Sequence, residues 1–102
     1  QVGFVVDGGE VMWVVDISTG TAATPTPRGN FAVYREINGD RVAPLGVLYR
    51  PKYFRGGFAI HGYGSVPSYP ASHGCVRVLK PAMDMLWADG HLDIGTPVMV
   101  HT

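Results

Sequence analysis

The sequence predicts a mainly β domain with one short helix. Three observations lead there. Gly (14) and Pro (8) are frequent and spread along the chain, which is the punctuation of many short strands and turns. Short runs rich in Val, Ile, Tyr and Phe sit between those turns. Only one segment has helical spacing with a start and a stop signal. At 102 residues the chain reads as one domain, residues 1–102, able to bury a single core.

The elements follow in order. Gln1 to Val6 reads as a strand, Asp7-Gly8-Gly9-Glu10 as a turn and Val11 to Ile17 as a second strand, so the chain opens with a hairpin. Thr19-Gly20 ends it, and residues 21–29 form a loop rich in Thr and Pro. Phe31 to Ile37 is strand-like, and Asn38-Gly39-Asp40 is a turn. Leu45 to Tyr49 and Phe58 to His61 are further strands, the second after Gly56-Gly57. Gly62 to Ala71 is a loop, and Val76 to Val78 a short strand. The helix runs from about Pro81 to Asp89: Pro suits a first helical position, Gly90 suits the C-terminal cap, and Met83, Leu86 and Trp87 share a face. Pro97 to His101 closes the chain as a strand, and Trp13 and Trp87 read as core.

Charge excludes several partners. Lys+Arg and Asp+Glu both number 8, so there is no basic stripe for nucleic acid or an anionic membrane. No apolar run reaches the roughly 20 residues that a helical span needs. Gln1 opens directly into a strand pattern, as in a fragment cut at a domain edge or a mature protein.

Chemistry concentrates between Ile60 and Val78. That stretch holds the single Cys and two of the four His. One Cys makes no internal disulfide: it is either a small buried hydrophobe or a thiol with a task. The thiolate is the reactive form of cysteine, and an imidazole beside it can take the thiol proton. Gly74 permits backbone geometry that a Cβ forbids, which can expose the sulfur and turn amides toward an oxyanion. Spacing alone leaves the base open. His73 lies two residues before Cys75, and His61 lies across a loop that can fold back onto the sulfur.

The run Ser72-His73-Gly74-Cys75 followed by Val76-Arg77, with Ile60-His61-Gly62 upstream, closely resembles the active-site signature of L,D-transpeptidases. A second segment resembles the family too: Ser18-Thr19-Gly20, Thr24-Pro25-Thr26-Pro27, then Gly29 and Phe31. Together the resemblance covers nearly the whole chain. It implies a β-sandwich or barrel-like domain, with Cys75 as nucleophile, His61 as general base and the Gly62 carbonyl holding the imidazole tautomer. Amides around Gly74 and Cys75 would form the oxyanion hole, with Ser72 and His73 in support. Arg77 fills the last motif position, where it would steady the site or meet a substrate carboxylate. Tyr63 and Tyr69 suit packing or loop positions, or a lining of the cleft, since they sit between the two halves of the motif.

The implied reaction is acyl transfer from a peptidoglycan tetrapeptide stem to the side-chain amine of a second stem. It releases D-Ala and forms a 3→3 crosslink in the bacterial cell envelope. No metal or organic cofactor is implied; carbapenems are the implied inhibitors, and a monomer is the default. The loop between His61 and Ser72 is short compared with some members, which bears on substrate approach. Two other functions share the signature: an L,D-carboxypeptidase that uses water as acceptor, and a wall-binding module with a silent site.

Plainer readings stand beside these. Cys75 and His73 can be structural. A zinc site of His61, His73 and Cys75 lacks the usual ligand spacing. Residues 24–27 suit either a rigid surface loop or a site-shaping one. Tyr49 and Tyr53 suit packing, His91 and His101 suit surface or strand-end positions, and nothing gives Asp16 a catalytic part.

Overall fold

The computed structural model describes residues 1–43 and 46–101. The chain begins with strands β1 (Val2–Asp7) and β2 (Glu10–Asp16), paired antiparallel as a two-stranded sheet. Gly8 and Gly9 make the turn at φ +57° and +82°, the left-handed pair that a tight hairpin between right-twisted strands needs. Alternation along the hairpin decides its packing. Val5, Val15 and Ile17 turn inward, while Val2, Phe4, Val6 and Val14 are exposed. Trp13, expected in the core, is instead 42% exposed; its indole N–H reaches Asp89 at 2.7 Å, at the far end of the helix.

The stretch expected as one strand from Phe31 to Ile37 is two. Strand β3 (Gly29–Ala32) pairs with the last strand, and β4 (Arg35–Glu36) with a different sheet. The chain changes partner at Val33, whose N–H donates to Thr96 O, and at Tyr34, whose N–H donates to Tyr53 O, both at 2.9 Å. Val33 anchors the switch because its side chain is fully buried.

Strand β5 (Asp40–Ala43) follows the expected Asn38-Gly39-Asp40 turn. Of the strand expected at Leu45 to Tyr49, Leu45 lies outside the described residues. From Gly46 onward it is part of a much longer strand, β6 (Gly46–Arg55), which pairs with β4, β5 and β7 (Phe58–Tyr63). A bulge lets β6 carry Pro51. The register shifts between Tyr49 and Lys52, and Arg50 takes φ +48°. The Arg50 carbonyl, turned out of the ladder, accepts the indole N–H of Trp87 at 2.9 Å.

Strand β8 (Val76–Leu79) lies parallel to β7, and helix α1 (Lys80–Asp89) follows at once. The helix starts one residue before Pro81 and ends at Gly90 in the left-handed conformation, φ +70°. Strand β9 (Pro97–Val100) returns to β3. The result is a mainly β domain with one short helix: a five-stranded sheet of β4 to β8, with the β1–β2 and β3–β9 pairs beside it.

Met83 and Leu86 of α1 pack on Val78 and Leu92, with Ile60, Val5 and Val15 against them. The same side chains therefore join helix, central sheet and hairpin. Behind the helix, Lys52 is wholly buried with Glu36 at 3.1 Å, Asp93 at 3.9 Å and the Trp87 ring at 4.1 Å from its Nζ. A buried cation persists only when so partnered, and this one ties β4, β6, α1 and the following loop together. Met83 is 0% exposed at the centre of the main core. Met83→Ala is expected to lower unfolding free energy by about 2–5 kcal/mol in urea titration. A loss under about 1 kcal/mol would show that the core does not hold the helix to the sheet.

Candidate active site

The site grows out of the β7–β8 pair. Ile60 stands opposite Val76, His61 opposite Arg77, and Gly62 opposite Val78. Side chains alternate along a strand. Ile60 and Val78 face the helix and the core. Ala59, His61 and Tyr63 therefore share the other face of the parallel pair with Arg77. Cys75 stands one residue ahead of β8, and the Arg77 charge acts on both the imidazole and the thiol.

His61 is buried at 3% exposure, and its Nδ1 lies 2.9 Å from Gly62 O. A carbonyl only accepts, so Nδ1 carries the proton and Nε2 presents a lone pair. Burial lowers the imidazole pKa, the Gly62 carbonyl opposes this, and the Arg77 charge lowers it further. Burial raises the Cys75 thiol above its ordinary 9.0, against smaller lowering from the Ala59 backbone and Arg77. At neutral pH the resting pair is therefore neutral thiol and neutral imidazole, not thiolate and imidazolium. The thiol points to Gly57 O at 3.7 Å.

The turn before Cys75 is held by a serine and a set of threonines. Ser72 is 1% exposed; its Oγ accepts the Gly74 N–H at 3.1 Å and donates to Cys75 O at 2.5 Å. The Gly74 N–H is thus engaged inside the turn, and Gly74 supports the site through its conformation. Its φ is +126°, and a Cβ there would stand 2.4 Å from the Phe58 ring. Ser72 N–H donates to Thr19 O, and Ser72 O accepts from Thr21 N–H and from Thr24 Oγ1. Ser18 pairs its backbone with Arg77, and its Oγ bridges Tyr69 O and Ala71 N–H.

Thr21, Thr24 and Thr26 thus bond directly to the turn that carries Cys75. For residues 24–27 these bonds favour a segment that shapes the cysteine turn over a merely rigid surface loop. Ser18 and Thr26 were not singled out as individual site residues, although both lie in segments that resemble the family. Gly20, which lies between them in sequence, is required by the packing: a Cβ there would fall 2.0 Å from Thr24 O.

Among the other expected residues, the Arg77 guanidinium stacks over the Tyr63 ring at 4.1 Å, and Tyr63 meets the His61 ring edge-on at 6.1 Å. The three make one continuous stack. Gly62 is buried, and a Cβ there would press 2.5 Å from the Tyr49 ring. His73 is exposed, and so is the Tyr69 side chain, which joins the site through its carbonyl. A concavity of about 290 Å³ opens beyond Tyr63, lined by Asp40, Tyr49, Gly62, Gly64 and Lys80 among others. Cys75 does not line it. Among the described residues, no group of three or more His, Cys, Asp or Glu is arranged to hold a metal.

Fold and site together define a class: small mainly β domains in which a cysteine turn leads into a strand that lies parallel to a histidine-bearing one. A family model for the L,D-transpeptidase catalytic domain matches residues 1–100, and the chain belongs to that family. A crystal structure of an L,D-transpeptidase from Xylanimonas cellulosilytica is 42% identical over 99% of this chain and 55% of that one, with a TM-score of 0.95. An L,D-transpeptidase from Stackebrandtia nassauensis is 25% identical over 100% of this chain and 51% of that one, TM-score 0.87. L,D-transpeptidase 3 from Mycobacterium tuberculosis, in complex with a faropenem-derived adduct, is 25% identical over 95% and 48%, TM-score 0.71. The chain thus spans about half the length of these solved relatives. No curated protein sequence matches it significantly.

The charge state has a direct readout. Alkylation of Cys75 by iodoacetamide is expected to rise with pH without a plateau near neutrality, reaching half its maximum above 9.0. The sign follows from burial, which disfavours the thiolate and moves its formation to higher pH. A plateau near neutral pH would reveal a preformed thiolate–imidazolium pair.

Proposed function

We propose that this domain, residues 1–102, is a cysteine acyltransferase of the bacterial cell envelope, acting on peptidoglycan tetrapeptide stems with Cys75 as nucleophile and His61 as general base. The observation that carries the reading is the imidazole tautomer. With Nδ1–H donated to Gly62 O at 2.9 Å, the His61 Nε2 lone pair is available on the strand parallel to the one that Cys75 leads into.

The chemistry runs on a neutral pair. As Sγ of Cys75 attacks the carbonyl of the third stem residue, a diamino acid, its proton passes to His61 Nε2. The oxyanion forms beside the Cys75 N–H. Collapse breaks the bond to D-Ala, whose nitrogen takes the proton from His61, and leaves a thioester. The side-chain amine of a second stem then attacks the thioester carbonyl and gives a proton to His61. Collapse expels the sulfur, which recovers that proton as the thiol. The product is a 3→3 crosslink. Proton transfer of this kind contributes typically about 10²–10⁴-fold to rate.

Arg77 suits a substrate carboxylate, with its guanidinium held flat on Tyr63. Tyr63 and Tyr69 line the approach in this reading, and Ser72, His73 and Gly74 support the turn. The domain acts as a monomer without a cofactor. Carbapenems and related β-lactams acylate Cys75. This is supported by the faropenem-derived adduct of the M. tuberculosis relative, faropenem being a β-lactam of the penem class.

Intact-protein mass after incubation with imipenem tests the nucleophile: one adduct on the wild type and none on Cys75→Ala is expected. An unmodified, folded wild type would leave the chain a wall-binding module with a silent site. With tetrapeptide stems, a dimeric stem plus D-Ala is expected; D-Ala alone would make it an L,D-carboxypeptidase. His61→Ala is expected to slow acylation by about 10²-fold or more, and His73→Ala far less. The reverse order would move the base to His73.

A further inference from the structure

Thr26 is buried, and its hydroxyl has two fixed partners. Oγ1 accepts the Gly20 N–H at 2.9 Å and donates to Gly74 O at 2.7 Å. A hydroxyl has a single proton, so with Gly20 N–H donating to it that proton lies on the Gly74 carbonyl. The Gly74 carbonyl and the Cys75 N–H belong to one planar trans peptide and point in opposite directions. Whatever holds the carbonyl therefore aims the amide.

The turn needs such a hold. Gly74 is obligatory, since a Cβ would meet the Phe58 ring at 2.4 Å and its φ is +126°. Glycine is also the residue about which a peptide plane rotates most easily. Ser72 fixes the Gly74 N–H and the Cys75 carbonyl, on either side of the plane in question. Thr26 grips that plane itself. Gly20 makes the grip possible, because any Cβ there would strike Thr26 N at 2.7 Å and Gly74 Cα at 2.9 Å.

We propose that Thr26 is a positioning residue for acyl transfer: by holding the Gly74 carbonyl it points the Cys75 N–H at the oxyanion of the tetrahedral intermediate. The inference rests on the function proposed above and deepens it. Thr26 touches neither substrate nor sulfur in this role. It acts through the one peptide whose orientation decides whether the developing negative charge finds a donor. Removing a direct oxyanion donor costs about 10²–10³-fold. Freeing the peptide that carries it costs less, because the productive orientation remains accessible.

The experiment compares two reactions of the same thiol. Acylation by imipenem passes through an oxyanion; alkylation by iodoacetamide does not. Thr26→Val, which keeps the shape and removes the hydroxyl, is expected to slow acylation by about 10–100-fold and to leave alkylation within about twofold of wild type. Thr26→Ser, which restores the hydroxyl, is expected to acylate within about threefold of wild type. Equal slowing of both reactions in Thr26→Val, or no slowing of acylation, overturns the inference and leaves the proposed function standing. If Thr26→Val does not fold, Thr26→Ser decides: acylation more than about tenfold slower would mean that the methyl matters and the hydroxyl does not. A wild type that is alkylated but never acylated removes the proposed function, and this inference with it.

Discussion

Strands β7 and β8 run parallel, with His61 opposite Arg77, and the arrangement of the candidate site depends on that register. Parallel neighbours cannot be joined by a tight turn; the chain must leave one end of the pair and come back to the other. Here the returning segment, from Gly64 to Cys75, is loop and not helix, so it brings no internal ladder of hydrogen bonds to hold its shape. Other parts of the chain supply them. Ser18, Thr19, Thr21, Thr24 and Thr26 bond to it from Tyr69 to Gly74. The continuation of β2 therefore serves as scaffold for the cysteine turn as well as an edge to β8. A one-residue slip of β8 would turn Arg77 into the core and Val78 out of it, and the buried packing of Val78 against Met83 and Leu86 opposes that.

Burial has opposite effects on the two groups expected to react. It discourages charge on both, lowering the imidazole and raising the thiol. Arg77 adds a positive charge that favours thiolate and disfavours imidazolium, so it does not stabilise the ion pair as a unit. In the proposed reaction a neutral pair transfers its proton during attack, and the oxyanion forms near the Cys75 N–H. The hydrogen bonds that Ser72 and Thr26 make in the turn would then hold that amide ready before the charge appears.

Much of this was legible in the sequence. Short β-rich runs, Gly-Gly and Asn-Gly turns and the Pro81–Gly90 bracket gave the hairpin, most strands and the helix. The motif from Ser72 to Arg77 with His61 upstream pointed to the thiol and the imidazole as the candidate groups, carried by the turn before β8 and by β7. Three features were not legible, each for a long-range reason. The break at Val33 exists because two different sheets claim the residues on either side of it. The length of β6 was hidden by Pro51, which a bulge at Arg50 accommodates. Trp13 looks like core from composition, but it closes over Asp89 at the edge of the hairpin. The threonine clamp lay between: the Thr-Pro segment was noticed, but which hydroxyl meets which carbonyl is decided by residues nearly fifty positions apart.

The half-exposed sulfur of Cys75 carries a further consequence. Peroxides and other oxidants react with thiolates far faster than with thiols, because the anionic sulfur is much the stronger nucleophile. A site that keeps its only cysteine protonated at rest is thereby slow to form sulfenic acid, even though solvent reaches the atom. In the proposed reaction the thiol gives its proton to His61 only as it attacks a bound carbonyl, so the same burial that delays ionisation would preserve the thiol between turnovers.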